Sequence, residues 1–182
     1  MNKKHYLKKG LIFILICVVL ISLDQITKYA AVNSLADNTK VLIKNFLSLE
    51  LVYNNGAAFG ILQNQRVLFC IITIILCIII EFVYIRLPYK GYIPLKAVTI
   101  GIFCGACGNL IDRIRTGYVV DFIAFDFGSY SFPRFNMADI YVTVSAFAAI
   151  FLLLFIYDDK NLPHILKGDR NGIWYILYIY NS

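Results

Sequence analysis

Charge is scarce in this chain. Of its 182 residues, 15% are Asp, Glu, Lys or Arg, against 60% that are hydrophobic. With a mean hydropathy of +0.72, that balance excludes an ordinary water-soluble domain and points to an integral membrane protein. Histidine is scarcer still: the two present, His5 and His164, lie near the chain ends. A Ser–His pair, a Cys–His pair or a zinc site of the HExxH type therefore lacks its imidazole in the body of the chain. No glycine-rich phosphate loop occurs. The five cysteines, Cys17, Cys70, Cys77, Cys104 and Cys107, all sit in apolar runs, which excludes a secreted disulfide framework and a zinc ribbon. Cys104-Gly-Ala-Cys107 has redox-motif spacing, but it lies mid-helix, where with Gly101, Gly105 and Gly108 it suits close helix packing. The net charge of +6 forms no basic stripe on a recognisable module, so no nucleic-acid partner is expected and the charge is read as membrane orientation.

What the chain does have is long apolar runs. Four, at about 10–32, 67–85, 97–114 and 138–157, are long enough to cross a hydrocarbon core of roughly 30 Å. Lysines precede the first run, and Ser34-Leu-Ala36 after it mimics a signal-peptide cleavage site. Asp24, Gln25 and Lys28 intervene, however, and further spans follow, so the first run is read as a retained helix. The N-terminal segment, the connection around Lys90 and the 158–182 tail with Lys160, Lys167 and Arg170 are richer in Lys and Arg than the other two loops. By the positive-inside rule both termini are then cytoplasmic. Turn formers at Asp37-Asn-Thr and Asn54-Asn55-Gly56 flank an alternating segment, Phe46 to Tyr53, that reads as a short strand. The expected architecture is a single all-α membrane domain over 1–182. It has four transmembrane helices, a small extracytoplasmic β platform and an outer loop over the site. The aromatic stretch Ile173 to Tyr180 is too short to span and is read as an interfacial anchor or a poorly ordered tail.

Polar residues gather between Gly105 and Asp139. Asn109, Asp112 and Arg113 fall at i, i+3 and i+4, on one helix face. Asn136 and Asp139 repeat the three-residue spacing at the start of the fourth span, where Asn136 also suits helix capping. Asp121 has the least obvious structural role. With Asp121 and Asp139 both at the membrane surface, the loop between them can bring their carboxylates together, and such a pair shares one proton. One acid then activates water while the other protonates a leaving amine or a carbonyl oxygen. Asp24 and Lys28, four apart, face one way and serve either substrate contact or scaffold. The Asn54–Gly60 turn is either a close-approach site or the cap of the second span. Two rival readings are a transporter component and a structural membrane subunit. The first expects charges through the depth of several helices, and the second leaves the repeated Asn/Asp spacing unexplained.

Five motifs in order resemble the lipoprotein signal peptidases, the type II signal peptidases. They are Asp24-Gln25-Ile-Thr-Lys28, Asn54-Asn55-Gly56-Ala57-Ala58-Phe59, Gly108-Asn109-Leu-Ile-Asp112-Arg113, Val120-Asp121-Phe122 and Phe135-Asn136-Met-Ala138-Asp139. The resemblance covers most of the chain, and its motifs are specific as an ordered set. It implies an aspartyl endopeptidase of the bacterial cytoplasmic (inner) membrane, with its active site on the extracytoplasmic side. The implied substrate is a diacylglyceryl-modified prolipoprotein, cleaved before the lipidated cysteine. By the same likeness Asp121 and Asp139 form the catalytic dyad, and Asn54, Gly56, Asn109, Arg113 and Asn136 hold substrate and steady the acids. Asp24 and Lys28 take a supporting role. No metal, other cofactor or obligate protein partner is implied; membrane lipids and the lipidated substrate are the expected partners. The aromatic residues Phe122, Phe125, Phe127, Tyr130, Phe132 and Phe135 are expected to lie at headgroup level as a lid that excludes water.

Overall fold

The computed structural model describes residues 3–36, 38–56 and 64–157, with side chains from residue 10 onward. The expectations for the 158–182 tail and for residues 57–60 fall outside the described residues. Four long helices carry the described residues: α1 (Lys3–Ser34), α2 (Arg66–Arg86), α3 (Ile93–Thr116) and α4 (Met137–Phe151). A single π-helical turn, Leu152–Ile156, extends the last. Among the described residues four segments are long and apolar enough to cross a membrane, Gly10–Ser34, Arg66–Arg86, Ile93–Thr116 and Met137–Ile156, each within a few residues of its expected limits. Helices are the natural form for such runs, because a lipid environment offers no partner for an unpaired backbone N–H or C=O.

The central helix is α3, against which α1, α2 and α4 all pack. The others leave large side chains uncovered, among them Leu15, Ile78 and Phe147, forming the apolar belt that faces lipid. At one end of the bundle Leu87, Leu95, Val98 and Tyr157 form a small core. Buried Lys96 lies there over the rings of Tyr84 and Tyr89 and donates to the Tyr84 carbonyl.

The contact of α3 with α4 depends on absent side chains. A Cβ on Gly105 would stand 2.4 Å from the Ala138 carbonyl oxygen and 2.6 Å from Val142 Cγ2, and one on Gly108 would stand 2.6 Å from Asp24 Oδ2. Cys104 beside them is fully buried, so small-residue packing accounts for this stretch. Gly105→Ala is therefore expected to push α3 and α4 apart and to destabilise the fold by about 1–3 kcal/mol. Thermal unfolding in detergent reads this out, with Gly10→Ala as the control expected not to lower the midpoint, since nothing lies within 4 Å of a Cβ there and a helix favours Ala over Gly.

At the other end sits an antiparallel sheet of order β1-β2-β3-β4, comprising β1 (Lys40–Ile43), β2 (Leu47–Asn54), β3 (Val119–Phe127) and β4 (Tyr130–Ser131). The alternating segment is thus a strand, as expected. The outer loop is not simply a loop: its first half is β3, paired with β2 in the register Leu47↔Phe125, Val52↔Asp121 and Asn54↔Val119. On its other edge β3 bridges to Phe135, with Phe135 N–H donating to the Ile123 carbonyl (3.1 Å) and Ile123 N–H to the Phe135 carbonyl (2.9 Å). Flanked on both edges, β3 is an interior strand, as β2 is, and Val119 to Phe122 are buried.

Candidate active site

Asp121 stands on β3 with Val52 as its cross-strand partner. Asn54, two residues along β2, shares that face because side chains alternate along a strand. Asn54 Nδ2 donates to Asp121 Oδ2 (2.9 Å), and its own Oδ1 accepts from the Gly56 N–H (2.9 Å). The turn is therefore built so that its amide nitrogen is aimed at the acid.

Asp139 comes from the first turn of α4. The Asn136 side chain caps that helix, accepting from Asp139 N–H (3.0 Å), while Asp139 Oδ2 accepts from Asn136 N–H (3.1 Å), a reciprocal capping box. Capping does not exhaust Asn136. Its Nδ2 donates to Asp121 Oδ1 at 2.7 Å and lies 3.1 Å from Asn109 Oδ1. An amide suits this position because one end accepts and the other donates. Asn109 repeats the device on α3: its Nδ2 donates to Asp139 Oδ1 (2.7 Å), and its Oδ1 accepts from Lys28 Nζ (2.9 Å). Each of the four carboxylate oxygens of Asp121 and Asp139 thus has a fixed donor. Each also has a remaining lone pair for water or substrate.

Behind Asn109 lies a buried ionic knot. Lys28 Nζ is 2.9 Å from both Asp24 Oδ2 and Asp112 Oδ2. Asp24 Oδ1 accepts from the Ala138 N–H of α4 (2.9 Å), and Asp112 Oδ2 accepts from the Val120 N–H of β3 (3.2 Å). Gln25 joins the two acids, donating to Asp112 Oδ1 (3.0 Å) and Asp24 Oδ2 (3.2 Å). Asp24 and Lys28 do not line the cavity, so of their two possible uses the scaffold is the one observed. Asp112 and Gln25 belong to that scaffold beyond the residues singled out for the site. The i, i+3, i+4 spacing puts Asn109, Asp112 and Arg113 on one helix face, but the structure divides them. Successive helical residues point about 100° apart, so Asp112 turns to α1 while Arg113 turns to the cavity. There Arg113 donates to the Gly56 carbonyl (3.2 Å) and lies over the Phe69 ring at 5.0 Å.

The cavity itself has a volume of about 880 Å³. Asn54, Gly56, Asn109, Arg113, Asp121 and Asp139 all line it, and Asn136 is sealed behind its wall. The aromatic cover is smaller than expected. Phe132 and Phe135 reach the cavity, whereas Phe122 points to the opposite face of β3 and packs with Ala31 and Leu35. Arg134 holds this rim segment to the sheet through Glu50 (2.6 Å) and Asp126 (3.2 Å). Burial pushes the Asp121 carboxyl up to about 7; the Asp139 charge adds to the rise, while the Asn54 and Asn136 donors oppose it.

Four membrane-length helices ending in a cavity with two facing acids and a polar shell describe a multi-pass membrane enzyme. Comparison with known proteins narrows the class. The family model for signal peptidase (SPase) II matches residues 16–155. The lipoprotein signal peptidase of Caldanaerobacter subterraneus subsp. tengcongensis is 43% identical over 145 residues, 78% of this chain and 95% of that protein. The lipoprotein signal peptidase of Staphylococcus aureus is 40% identical over 156 residues, 85% of this chain and 93% of its own. A solved bacterial membrane enzyme, determined by the in meso method at 2.3 Å resolution, superposes with a TM-score of 0.68 at 38% identity, covering 78% of this chain and 87% of that one. The chain belongs to the signal peptidase II family and is a peptidase.

Proposed function

We propose that this peptidase removes the signal peptide from diacylglyceryl-modified bacterial prolipoproteins, cutting before the lipidated cysteine, with Asp121 and Asp139 activating the water. The observation that carries the reading is the hydrogen-bonded chain Asp121–Asn136–Asn109–Asp139, whose two acids line one cavity. It fixes two acids from separate elements so that they share one bound water and one proton. Asp121 carries that proton near neutrality and gives it to the scissile carbonyl oxygen as water attacks. Asp139 takes the proton from the attacking water and passes it to the leaving amine, while Asp121 recovers its own as the carbonyl re-forms. Arg113, Asn54 and the Gly56 backbone hold the substrate main chain.

The protein sits in the bacterial cytoplasmic membrane with both termini in the cytoplasm and the sheet end outside, as the distribution of Lys and Arg favours. The substrate arrives laterally, because its two acyl chains are held in the bilayer at about 0.8 kcal/mol per buried CH₂. Membrane lipid and the lipidated chain are then the only partners the reaction calls on.

The test uses purified protein in detergent with a lipobox peptide, diacylated or bare, following release of the signal segment. Cleavage of the diacylated peptide alone is expected; equal cleavage of both, or of neither, sinks the reading. The pH profile follows from Asp121. Below about pH 7 its carboxyl is neutral and can donate; above it, Asp121 is charged and the donor is lost. The value of kcat/KM is therefore expected to fall as pH rises through about 7, approaching about tenfold per unit on the alkaline side. A profile flat from 6 to 9 contradicts the proton's placement on Asp121.

A further inference from the structure

The cavity reaches deeper than its two acids. Four of its wall residues, Asp139, Ile140, Thr143 and Val144, follow one face of α4. Because α4 begins at Met137, at the sheet end of the bundle, Thr143 stands four residues, or about 6 Å, further into the bundle than Asp139. Asn109 is level with Asp139, to which it is hydrogen-bonded, and Arg113 lies one turn outward of Asn109 along α3. The other polar wall residues come from the sheet, the Asn54 turn and the rim before α4. Inward of the acids, the wall therefore has one polar side chain, that of Thr143.

Thr27, Thr99 and Thr116 return their hydroxyls to a carbonyl three or four residues earlier on their own helix, at 2.8, 2.8 and 2.9 Å, as threonines in helices often do. Thr143 does not. It is exposed at the wall, and its hydroxyl makes no hydrogen bond among the described residues. Val144 beside it is 62% exposed, so at this level the cavity wall is open to the bilayer.

A signal segment in the bilayer is helical, since a helix pairs its own backbone there. The bond cut at the dyad has to be presented beyond the end of that helix, and the last four carbonyls of any helix have no N–H partner within it. Hydrocarbon supplies no water to match them. A donor just inward of the acids is what they lack. Spacing selects the carbonyl: an extended chain rises about 3.3 Å per residue, so a step of about 6 Å is close to two residues. Counted back from the scissile carbonyl, that is the third residue before the cysteine.

Resting on the reading that Asp121 and Asp139 cut a lipidated signal peptide, we propose that Thr143 binds substrate, its O–H donating to the main-chain carbonyl of the third residue before the cleaved cysteine. The bond holds the end of the signal segment extended and sets the scissile carbonyl against the acids. Thr143 touches no reacting atom, and its contact asks nothing of the substrate's side chains.

Two diacylated peptides of one sequence test this, one unmodified and one with a thioamide at that residue, whose sulfur accepts a hydrogen bond more weakly than oxygen. The unaltered protein is expected to cleave the thioamide less well in kcat/KM by about three- to tenfold, the range that one neutral hydrogen bond carries. Thr143→Val keeps the branched shape and removes the hydroxyl. It is expected to lower kcat/KM for the unmodified peptide by a similar factor and to leave the thioamide nearly unaffected, bringing the two level without lowering the unfolding midpoint. Thr143→Ser, which returns the hydroxyl, is expected to return the preference. A thioamide penalty as large in Thr143→Val as in the unaltered protein overturns the assignment, and so does the lack of any penalty in the unaltered protein. Cleavage of neither peptide by the unaltered protein is a different result, which removes the functional reading on which the assignment rests.

Discussion

Replacing either Asp121 or Asp139 by asparagine lowers release of the signal segment from a diacylated peptide by about 10³-fold or more, while the protein stays folded. The size follows from the task assigned to the pair: each acid moves a proton that the other is not placed to move, so either loss removes the whole acid–base contribution. The fold survives because the amide preserves most of the geometry. At position 139 a carbonyl oxygen remains to accept the Asn136 N–H that Asp139 Oδ2 now accepts. At 121 an oxygen remains for one of the two donors from Asn54 and Asn136. Single-turnover rates with circular dichroism and thermal unfolding on the same samples separate chemistry from folding. Activity within tenfold of the unaltered protein in either variant ends the dyad assignment.

The largest effect on stability is expected at Lys28, which touches neither acid of the dyad. Lys28→Met leaves Asp24, which is fully exposed to nothing but protein, and Asp112 buried without their cation. Removing one member of such a buried cluster costs about 3–5 kcal/mol, because the remaining charges stay out of water uncompensated. For a chain of this length that is a fall of roughly 10 °C in the unfolding midpoint. Restoring neutrality is the check on mechanism: Asp24→Asn added to Lys28→Met should recover part of the loss, and an unchanged midpoint in the single variant refutes the account. Activity is expected to fall as well, since Asn109 loses the ammonium that fixes its Oδ1 and with it the aim of Nδ2 at Asp139.

Much of this arrangement was legible in the amino-acid order because the bilayer imposes coarse rules. A helix that must cross about 30 Å announces itself by length and composition, and the four spans fall close to their expected limits. The strand at Leu47–Asn54 shows because one of its faces is polar. Its partner Val119–Phe127 does not show, since a strand buried on both faces has no alternation to read. Its identity comes from pairing with residues some seventy positions earlier. The site residues were visible as types and spacings, but their partners were not. Helix rotation, which spacing alone does not fix, sends Asp112 to Lys28 of α1 rather than to its neighbour Arg113. The division of Asn136 into an accepting end for α4 and a donating end for Asp121 also needed coordinates.

The capping box at the start of α4 carries one more implication. In most enzymes the groups that cut and the groups that hold a helix closed are different residues, and each set can drift on its own. On the proposed mechanism Asp139 does both, and Asn136 caps the helix while holding Asp121. Variation at either position is judged twice, and a variant that improves one task is free to survive only if it spares the other. Screens that score expression will therefore report positions 136 and 139 as intolerant whether or not turnover is measured. A gain in thermal robustness has to be sought elsewhere in the bundle, away from the dyad and from the Lys28 cluster that supports it.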